Sequence, residues 1–229
     1  SYRHGGAIYL NQIGVSILKN NTFIDNTASN MGGAVRITIS NSNGTTSISE
    51  NKFKNNNAEN GGAINVATGK AIINSNNFTK CGATKGGAIK ADTSIIIGNN
   101  FKDNTAKEGS DIFIYPNSED NSQVKNNSFS NFNSNSLVTY GNVDVQDNEG
   151  LEDSFAGLQI MIKSAKAGKE IFLTSDPLRG DFAEAGIVID NSITINGNNH
   201  ILDGNQKGRI FDIKSADVTL KNIIFKNIA

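Results

Sequence analysis

Apolar residues recur along the chain in short runs that alternate with polar positions and are rich in β-branched side chains. These runs occupy residues 15–18, 71–74, 94–98, 143–147, 186–195 and 218–225. A two-residue period in short β-branched segments is typical of strands with one buried face. A hydrophobic content of 37% would also suit a low-complexity disordered chain, but disorder does not explain the alternation. The pattern therefore predicts an all-β protein built from many short strands.

Two sequence phrases alternate in strict order over the first half of the chain. Gly-Gly-Ala followed by an aliphatic residue begins at Gly5, Gly32, Gly61 and Gly86. An Asn-rich segment centred on a phenylalanine follows each of them, at Phe23, Phe53, Phe78 and Phe101. The spacing of roughly 23 to 30 residues predicts one turn of a β-solenoid per repeat. At this period, the 229 residues would form roughly eight coils.

Stacking of similar coils would give each repeated residue type a structural role. Equivalent residues of successive coils lie about 4.8 Å apart, so identical side chains form ladders. The 35 Asn residues suit such ladders because an amide both donates and accepts, and because Asn tolerates left-handed corners. The paired glycines would form tight corners, and the Ala would let the next coil approach. An internal aromatic column is expected from Phe23, Phe53, Phe78, Phe101, Phe129 and Phe225.

The pattern changes from strand-like to helical near residue 149. Ser154 can act as an N-cap and Gly168 can end the helix. Four residues between them fall on one face at helical spacing: Phe155, Leu158, Ile162 and Ala165. A short amphipathic helix of this kind would cover the open end of a solenoid. We therefore divide the chain into β-helix coils at 1–148, a capping helix at 149–168, and opening coils of a second or neighbouring β-helix at 169–229.

The last of these regions contains six predicted strands. They lie near residues 170–173, 186–189, 193–195, 200–202, 209–213 and 218–225. Joining residues 218–229 to residues 1–12 restores the order of the two phrases, so the ends look complementary. We therefore expect head-to-tail self-association through the terminal coils, which generates a filament unless its rotation closes. Such stacking is expected whether the sequence is one period of a longer tandem protein or a separate unit that meets a second copy. The alternative is that it is an arbitrary fragment with a frayed N-terminal coil.

The repeats resemble those of known surface proteins. The GGA-aliphatic and F-x-x-N phrases, the latter at Phe23, Phe53 and Phe101, are similar to the polymorphic outer membrane protein repeats of chlamydial surface proteins. Segments 154–173, 192–204 and 218–227 extend the likeness to the adhesin-like proteins of gut and rumen methanogenic archaea. Together the likenesses cover nearly the whole chain. The resemblance implies a right-handed parallel β-helix at the extracellular cell surface, a handedness that parallel crossovers also favour.

The chain departs from this repeat pattern at three places. Cys81 and Phe132 stand where Asn is expected in the phrases of Phe78 and Phe129. The segment GSDIFI, beginning at Gly109, replaces the fifth GGAI phrase. These departures suggest a repeat that decays toward one end, because terminal coils are usually atypical.

Charge and cysteine content exclude several classes of function. Lys and Arg total 21 against 22 for Asp and Glu, without runs of one sign, so a nucleic-acid partner is not expected. The single Cys81 allows neither an internal disulfide nor a structural zinc site, and no metal or cofactor is expected. No apolar stretch approaches the roughly 20 residues of a membrane span, and any export signal would lie outside this sequence.

Four sequons would permit N-glycosylation of an exported protein. They begin at Asn20, Asn43, Asn77 and Asn126. With this content of Asn, Ser and Thr, several sequons are also expected by chance.

A polysaccharide lyase or hydrolase is a further alternative, because parallel β-helices also carry such activities. A hydrolase needs paired carboxylates, and a lyase commonly needs a calcium-binding carboxylate cluster with a basic residue nearby. The candidates are Asp190, Asp203, Asp212, Asp217 and Arg209, together with His200 beside Asp203 in sequence. Their positions between strands equally suit turns, where Asp bonds the local backbone. We expect no catalysis from them.

The sequence thus favours an adhesin-like module that displays polar faces and loops for attachment to cells or surfaces. The predicted display loops are residues 38–46 and 115–123, and the ligand, a cell-surface glycan or protein, is unknown. A filament-forming structural protein is the second hypothesis and a carbohydrate-active enzyme the third.

Overall fold

A computed structural model describes residues 3–12, 14–40, 44–115, 122–130, 132–140, 143–214 and 217–228. The strands pair in parallel and stack as a β-solenoid of about eight turns with one short helix, which confirms the predicted fold class and coil number. The chain forms two compact units. Unit 1 comprises residues 1–130 and 135–148, and unit 2 comprises residues 131–134 and 149–229.

The described residues of unit 1 form fifteen strands, which follow the alternating runs of the sequence. They are β1 (Ile8–Gln12), β2 (Val15–Lys19), β3 (Thr22–Ile24), β4 (Val35–Ile39), β5 (Thr45–Ser49), β6 (Lys52–Lys54), β7 (Ile64–Asn74), β8 (Asn77–Thr79), β9 (Ile89–Ile97), β10 (Asn100–Lys102), β11 (Ile112–Ile114), β12 (Ser122–Lys125), β13 (Ser128–Phe129), β14 (Leu137–Thr139) and β15 (Val143–Gln146). Each of the first five coils contributes one strand segment to each of three rows, and the sixth coil, with β14 and β15, contributes to the first two rows.

The three rows differ in which strands they stack. The first row contains β1, β4, β11 and β14, the second contains β2, β5, β12 and β15, and the long strands β7 and β9 pass through both rows. The third row is the separate sheet β3-β6-β8-β10-β13. Aligned residues are mostly 23 to 30 positions apart, as predicted: Ile8 pairs with Val35, Phe23 with Phe53, and Phe78 with Phe101. The final coil is shorter, since Ser122 pairs with Val143.

The predicted aromatic column is confirmed for the five phenylalanines of unit 1. Phe23, Phe53, Phe78, Phe101 and Phe129 stack face to face, with ring centroids 4.8, 4.9, 5.2 and 5.0 Å apart. These separations follow the spacing of hydrogen-bonded strands, so one ring per coil fills the core along the third row. All five rings are buried.

A ladder of six asparagines runs beside the aromatic column. Its members are Asn21, Asn51, Asn76, Asn99, Asn127 and Asn148. In each step, the backbone N–H and the side-chain Nδ2 of one Asn donate to the Oδ1 of the next, at 2.8 to 3.1 Å. The same Nδ2 also donates to backbone carbonyls, as Asn76 does to Ile48 and Asn74. The amides are thus satisfied inside the core, where an unpaired amide would be costly.

A second, shorter ladder passes through Cys81. Asn26 Nδ2 donates to Asn56 Oδ1 at 2.8 Å, and Asn56 Nδ2 lies 4.0 Å from Cys81 Sγ. The backbone N–H of Cys81 then donates to Asn104 Oδ1 at 2.9 Å. Cys81 therefore occupies the Asn position that the repeat predicts, fully buried, and burial raises the pKa of its thiol. The sulfur is a weak acceptor that replaces an amide oxygen.

The Gly-Gly corners bring successive coils into close contact. The first glycine of each corner has a left-handed backbone, with φ between 60° and 67° from Gly5 to Gly86. The second glycine is needed for another reason. A Cβ on Gly62 would lie 2.1 Å from the carbonyl oxygen of Gly87 in the next coil, and Gly33 meets Gly62 in the same way at 2.0 Å. No side chain fits there without separating the coils.

The fifth corner, GSDI, keeps the fold but places a carboxyl group in the core. Gly109 retains the left-handed backbone with φ 65°, and Asp111 replaces the buried alanines of the earlier corners. Asp111 Oδ1 accepts a hydrogen bond from Asn104 Nδ2 at 2.9 Å, and Ser136 is a second partner. Burial raises the pKa of Asp111 to about 6, and the two hydrogen bonds only partly oppose this shift.

Unit 2 begins with a short 3-10 helix (Leu151–Asp153) and the helix α1 (Phe155–Ser164). As predicted, Ser154 caps the helix, since its side chain accepts from the backbone N–H of Gly157, and Phe155, Leu158 and Ile162 are fully buried. The predicted end at Gly168 is wrong. The helix ends at Ser164 because Ala165 already has an extended backbone, and the N–H of Gly168 donates to Ser192.

Seven strands follow the helix and confirm the segments expected in this region. They are β16 (Lys169–Phe172), β17 (Ile187–Ile189), β18 (Ile193–Asn196), β19 (Ile201–Asp203), β20 (Phe211–Ile213), β21 (Val218–Lys221) and β22 (Ile224–Lys226). They pair in parallel as β16-β18-β21, β17-β20 and β19-β22. Phe225 does not join an aromatic column. It aligns with Leu202 and meets Phe211 edge-on at 6.1 Å, with 44% of its surface exposed.

The helix covers the outer edge of β17. The side chain of Gln159 donates to the carbonyl of Val188 at 2.9 Å and accepts from the N–H of Val188 at 2.7 Å. One amide side chain thus replaces a neighbouring strand at this edge. The apolar face of α1 packs with Ile187 and Ile189 in one buried cluster. Within unit 2, the helix thus covers a strand edge and an apolar surface, and its role as the cap of a solenoid stays a prediction.

We predict that Gly62→Ala destabilises the protein by about 3 kcal/mol or more, because the added methyl group would meet backbone atoms that cannot rotate away. Gly14→Ala is the matched control, since nothing lies within 4 Å of its Cβ position. Urea denaturation followed by far-ultraviolet circular dichroism measures both variants. Equal unfolding midpoints for the two would contradict the close approach of coils at Gly62.

We predict that Asp111→Asn removes one contribution to the pH dependence of the protein's stability. The raised pKa means that folding favours the protonated carboxyl, so its stabilising effect is complete below pH 3.8 and is lost as the pH rises to about 6. The free energy of unfolding of the Asn variant, relative to that of the parent, should therefore rise by up to about 3 kcal/mol as the pH increases between these values. Asp103→Asn, at an exposed position, is the control. A parent-to-variant difference that is constant with pH would refute this assignment.

Candidate functional site

The acidic residues of unit 2 are distributed over different sheets. Asp212, on β20, forms ion pairs with Lys214 at 2.5 Å and with Arg209 at 3.8 Å. The hydrogen bond from Lys214 is the main reason that the pKa of Asp212 is lowered. Asp203, on β19, instead accepts from the backbone N–H of Asn205 and from Asn227 Nδ2. Asp212 is held as an anion by two cations, and Asp203 orders a turn.

Asp190 and Asp217 are exposed at the ends of strands. The carbonyl of Asp217 accepts from the N–H of Ile193, so its backbone takes part in the sheet. Of the sequence candidates for catalysis, the described contacts therefore bring together only Arg209 and Asp212. A hydrolytic pair of carboxylates does not follow from these contacts.

His200 does not pair with Asp203, its neighbour in sequence. Its Nδ1 lies 2.9 Å from Asp176 Oδ1, and the same oxygen accepts from the backbone N–H of Ile201. The bond from Ile201, followed by that from His200, lowers the pKa of Asp176. This contact joins two coils, and a reading of local sequence could not find it.

Among the described residues, no group of three or more His, Cys, Asp and Glu side chains could hold a metal ion. No helix in that part of the chain is both long and apolar enough to cross a bilayer.

Three of the four sequons lie at exposed positions. Asn20 and Asn126 occupy left-handed corners with φ 57° and 52°. Asn77 is exposed on β8, and its Oδ1 accepts from Asn100 Nδ2 at 2.8 Å. Asn43 lies outside the described residues. Glycosylation at these positions stays a prediction.

The first row of unit 1 carries a varied set of outward-facing side chains, which we call the lateral row. Strand register aligns Tyr9, Arg36, Asn65, Lys90, Phe113 and Val138, one from each coil. The inward neighbours in the central strands are aliphatic and buried, such as Ile64, Ile89 and Ile112. Core requirements therefore fix alternate residues and leave the lateral row free to vary.

A cavity of about 340 Å³ lies on this face, which we call the lateral cavity. Its polar and aromatic lining includes Asn60, Lys85, Lys90, Asp92, Phe113 and Tyr115. The volume lies at the lower end of the range of roughly 300 to 1,000 Å³ that is usual for small-molecule sites. Tyr115 is also the first residue of the second predicted display loop, whose residues 116–121 lie outside the described part of the chain.

The two lysines of the lateral cavity have different surroundings. Lys85 Nζ pairs with Glu108 at 3.3 Å and lies 5.1 Å above the ring of Phe113. Lys90 is half-buried, and no carboxylate of a described residue forms an ion pair with it. Burial and, to a lesser extent, repulsion by Lys85 lower the pKa of Lys90, and Asp92 opposes them only in part. Of the two lysines, Lys90 is therefore the one without an ion pair to a described residue, and Asp92 compensates its charge only in part.

Three aromatic rings lie together beside the lysines. Phe113 is 3% exposed although it faces outward, because Lys85 and Tyr140 cover it. Tyr140 is 5.7 Å from Phe113 and 5.2 Å from Tyr115, at tilted angles. Tyr115 and Tyr140 remain about half exposed. Exposed tyrosines offer an apolar face and a polar tip to a ligand.

Asn65 is the most unusual polar residue of the lateral row. It is fully buried between Arg36 and Lys90, and neither its Oδ1 nor its Nδ2 has a hydrogen-bond partner among the described residues. Buried amides are almost always bonded, so this position retains hydrogen-bonding capacity.

Sequence analysis did not find the lateral cavity. Its residues come from three successive coils and belong to no motif, and the outward positions vary from coil to coil. One local signal existed, the concentration of aromatic residues in IFIY at 112–115 within the degenerate fifth repeat. Chemically, the cavity can accept a small polar ligand through a cation, an anion, an amide and an aromatic surface.

Comparison with known proteins adds no assignment: no protein-family model, curated protein or solved structure matches this chain.

Proposed function

We propose that the protein is an extracellular, adhesin-like β-helix module that attaches to cells or surfaces through its outward-facing residues. The observation that carries this proposal is the lateral cavity, a concave polar and aromatic site on the outward face of a stack whose inward side chains build core and ladders. The likeness of the repeats to methanogen adhesin-like proteins supports the same function and the cell-surface location. The partner would be a glycan or protein of the opposing surface.

The proposed mechanism is display by a rigid scaffold. Core ladders and stacked rings hold the coils in register, so outward residues keep a fixed spacing along the face. Exposed Asn, Ser, Thr and Lys side chains would add weak contacts, and many copies at a surface would convert them into avidity. The module would act without catalysis, since Asp203 and Asp212 serve separate local networks.

A second candidate function is head-to-tail stacking into an extracellular filament. The observation that favours it is that the first coil of unit 1 and the last described coil of unit 2 have left-handed corners at the same positions relative to a phenylalanine. Phe23 is flanked by left-handed corners at Asn20 and Asp25, and Phe225 is flanked in the same register by corners at Asn222 and Asn227. Their φ angles are 57°, 57°, 54° and 49°, in that order.

Because the corners lie at equivalent positions, a coil of the first type could stack on a coil of the second type with its strands in register. A coil like residues 15–26, in a second copy or a following repeat, would match the backbone path of residues 218–228. Among the described residues, β22 pairs only with β19, and Ile224, Phe225 and Ile228 are about half exposed. Parallel strand addition at β22 would cover these residues.

We predict that beads coated densely with the protein are retained on at least one surface of an array of immobilised acidic, neutral and amino polysaccharides and mucin. Replacing Tyr115, which lines the cavity, together with the adjacent Tyr140 by Ala should abolish retention, because the exposed aromatic surface at and beside the cavity is lost. Replacing the exposed Lys54 and Lys102 of the third row by Ala is the matched control and should preserve it. Beads that adhere to none of the surfaces would overturn the attachment proposal.

For the filament candidate, we predict that sedimentation coefficients rise with protein concentration and that negative-stain electron microscopy shows end-to-end rods. Phe225→Asp should prevent this association because it places a charge on the exposed edge of β22. Phe172→Asp, at an equally exposed phenylalanine of β16, should not. A parent protein that sediments as a monomer at every concentration would rule out assembly.

A further inference from the structure

We propose that the lateral cavity binds a carboxylated sugar residue of an acidic polysaccharide, with the carboxylate on Lys90 and the ring against the tyrosines. This inference rests on the proposed attachment function and names the ligand class of that site. Four features of the described residues carry it: an unpaired cation, hydroxyl acceptors, an aromatic surface and the size of the cavity.

The need for an anion follows from the surroundings of Lys90. Lys85 already forms an ion pair with Glu108 at 3.3 Å and lies over the ring of Phe113. It therefore needs a ligand anion less than Lys90 does. Lys90 lies in the same cavity, half-buried, with no ion pair to a described carboxylate. A ligand carboxylate that reached Lys90 Nζ would form a charge-assisted hydrogen bond in a partly desolvated site. That bond would offset the cost of holding the ammonium there.

The remaining polar groups indicate a ligand that also carries hydroxyls. Asp92 and Asn60 line the same cavity as Lys90. The Asn60 amide both donates and accepts hydrogen bonds, so it suits the hydroxyls of a sugar. The negative charges of Asp92 and of nearby Glu108 would repel a densely charged polyanion such as a nucleic acid. A carboxylated sugar ring has one carboxylate for Lys90 and several neutral hydroxyls, so it matches the cation and the polar groups without the charge density of a nucleic acid.

The tyrosines supply the apolar part of the site. Tyr115 and Tyr140 are 55% and 46% exposed, with ring centroids 5.2 Å apart beside the covered Phe113. Such rings bind the C–H face of a sugar while their hydroxyls remain hydrated. A cavity of about 340 Å³ accommodates one or two sugar rings rather than a folded protein segment. A longer polysaccharide would leave the cavity along the lateral row.

The test is isothermal titration of the intact protein with trigalacturonate and, separately, with the neutral trisaccharide of galactose. We expect weak binding of the acidic trisaccharide. The neutral trisaccharide should bind at least about tenfold more weakly, because it cannot form the charge-assisted hydrogen bond with Lys90. Lys90→Gln should lower the affinity for trigalacturonate by at least about tenfold and leave that for the neutral sugar unchanged. Lys102→Gln, at an exposed lysine of β10, is the control with unchanged binding.

Three results would overturn the inference: no heat of binding with trigalacturonate at roughly 10 mM, equal affinity for both trisaccharides, or unchanged affinity of Lys90→Gln. Circular dichroism of the Lys90 variant separates loss of the site from loss of the fold. Retention of coated beads on neutral surfaces alone would overturn the acidic ligand while leaving the attachment function in place. Failure of beads on every surface would remove the attachment function itself.

Discussion

The close approach of each coil to the next is the constraint on which unit 1 depends. At the second glycine of a corner, even a methyl group would lie about 2 Å from a carbonyl oxygen of the next coil. With the coils at that distance, phenylalanine rings stack at 4.8 to 5.2 Å and asparagine side chains reach one another at about 3 Å. Rings and amides reinforce the same spacing, so a change in one corner affects both ladders.

This constraint also determines where the protein can vary. The inward positions aligned with Val35, namely Ile64, Ile89 and Ile112, stay aliphatic because each must fit between its neighbours in the stack. The outward positions next to them change from Arg36 to Asn65, Lys90 and Phe113. The corner phrase is altered at GSDIFI, and Phe113 in that segment lines the lateral cavity together with Lys85 and Lys90 of the preceding coil. The lateral cavity thus lies where the repeat pattern breaks down, which connects the stacking of coils with the proposed attachment.

Much of the fold could be predicted because the repeated residues are those that the core requires. The period, the Asn and Phe ladders and the cap at Ser154 all follow from local chemistry repeated in sequence. The prediction that Phe225 joins the aromatic column was wrong. The phrase around Phe225 matches the repeat, but the residue aligned with it in the preceding coil of unit 2 is Leu202, so there is no ring to stack on. The partner of His200 and the lateral cavity were missed because both join residues of different coils through positions that follow no repeat. Left-handed corners at Glu50 and Lys80 likewise show that position in the coil outweighs residue preference.

Hydrogen–deuterium exchange of the asparagine side chains, resolved by nuclear magnetic resonance, tests the central claim most directly. If the buried ladder holds the coils together, the Nδ2 protons of Asn76, Asn99 and Asn127 exchange as slowly as the backbone amides of the core strands, since only unstacking exposes them. The exposed amide of Asn20 serves as the internal reference and exchanges fast. Ladder protons that exchange as quickly as those of Asn20 would contradict the account.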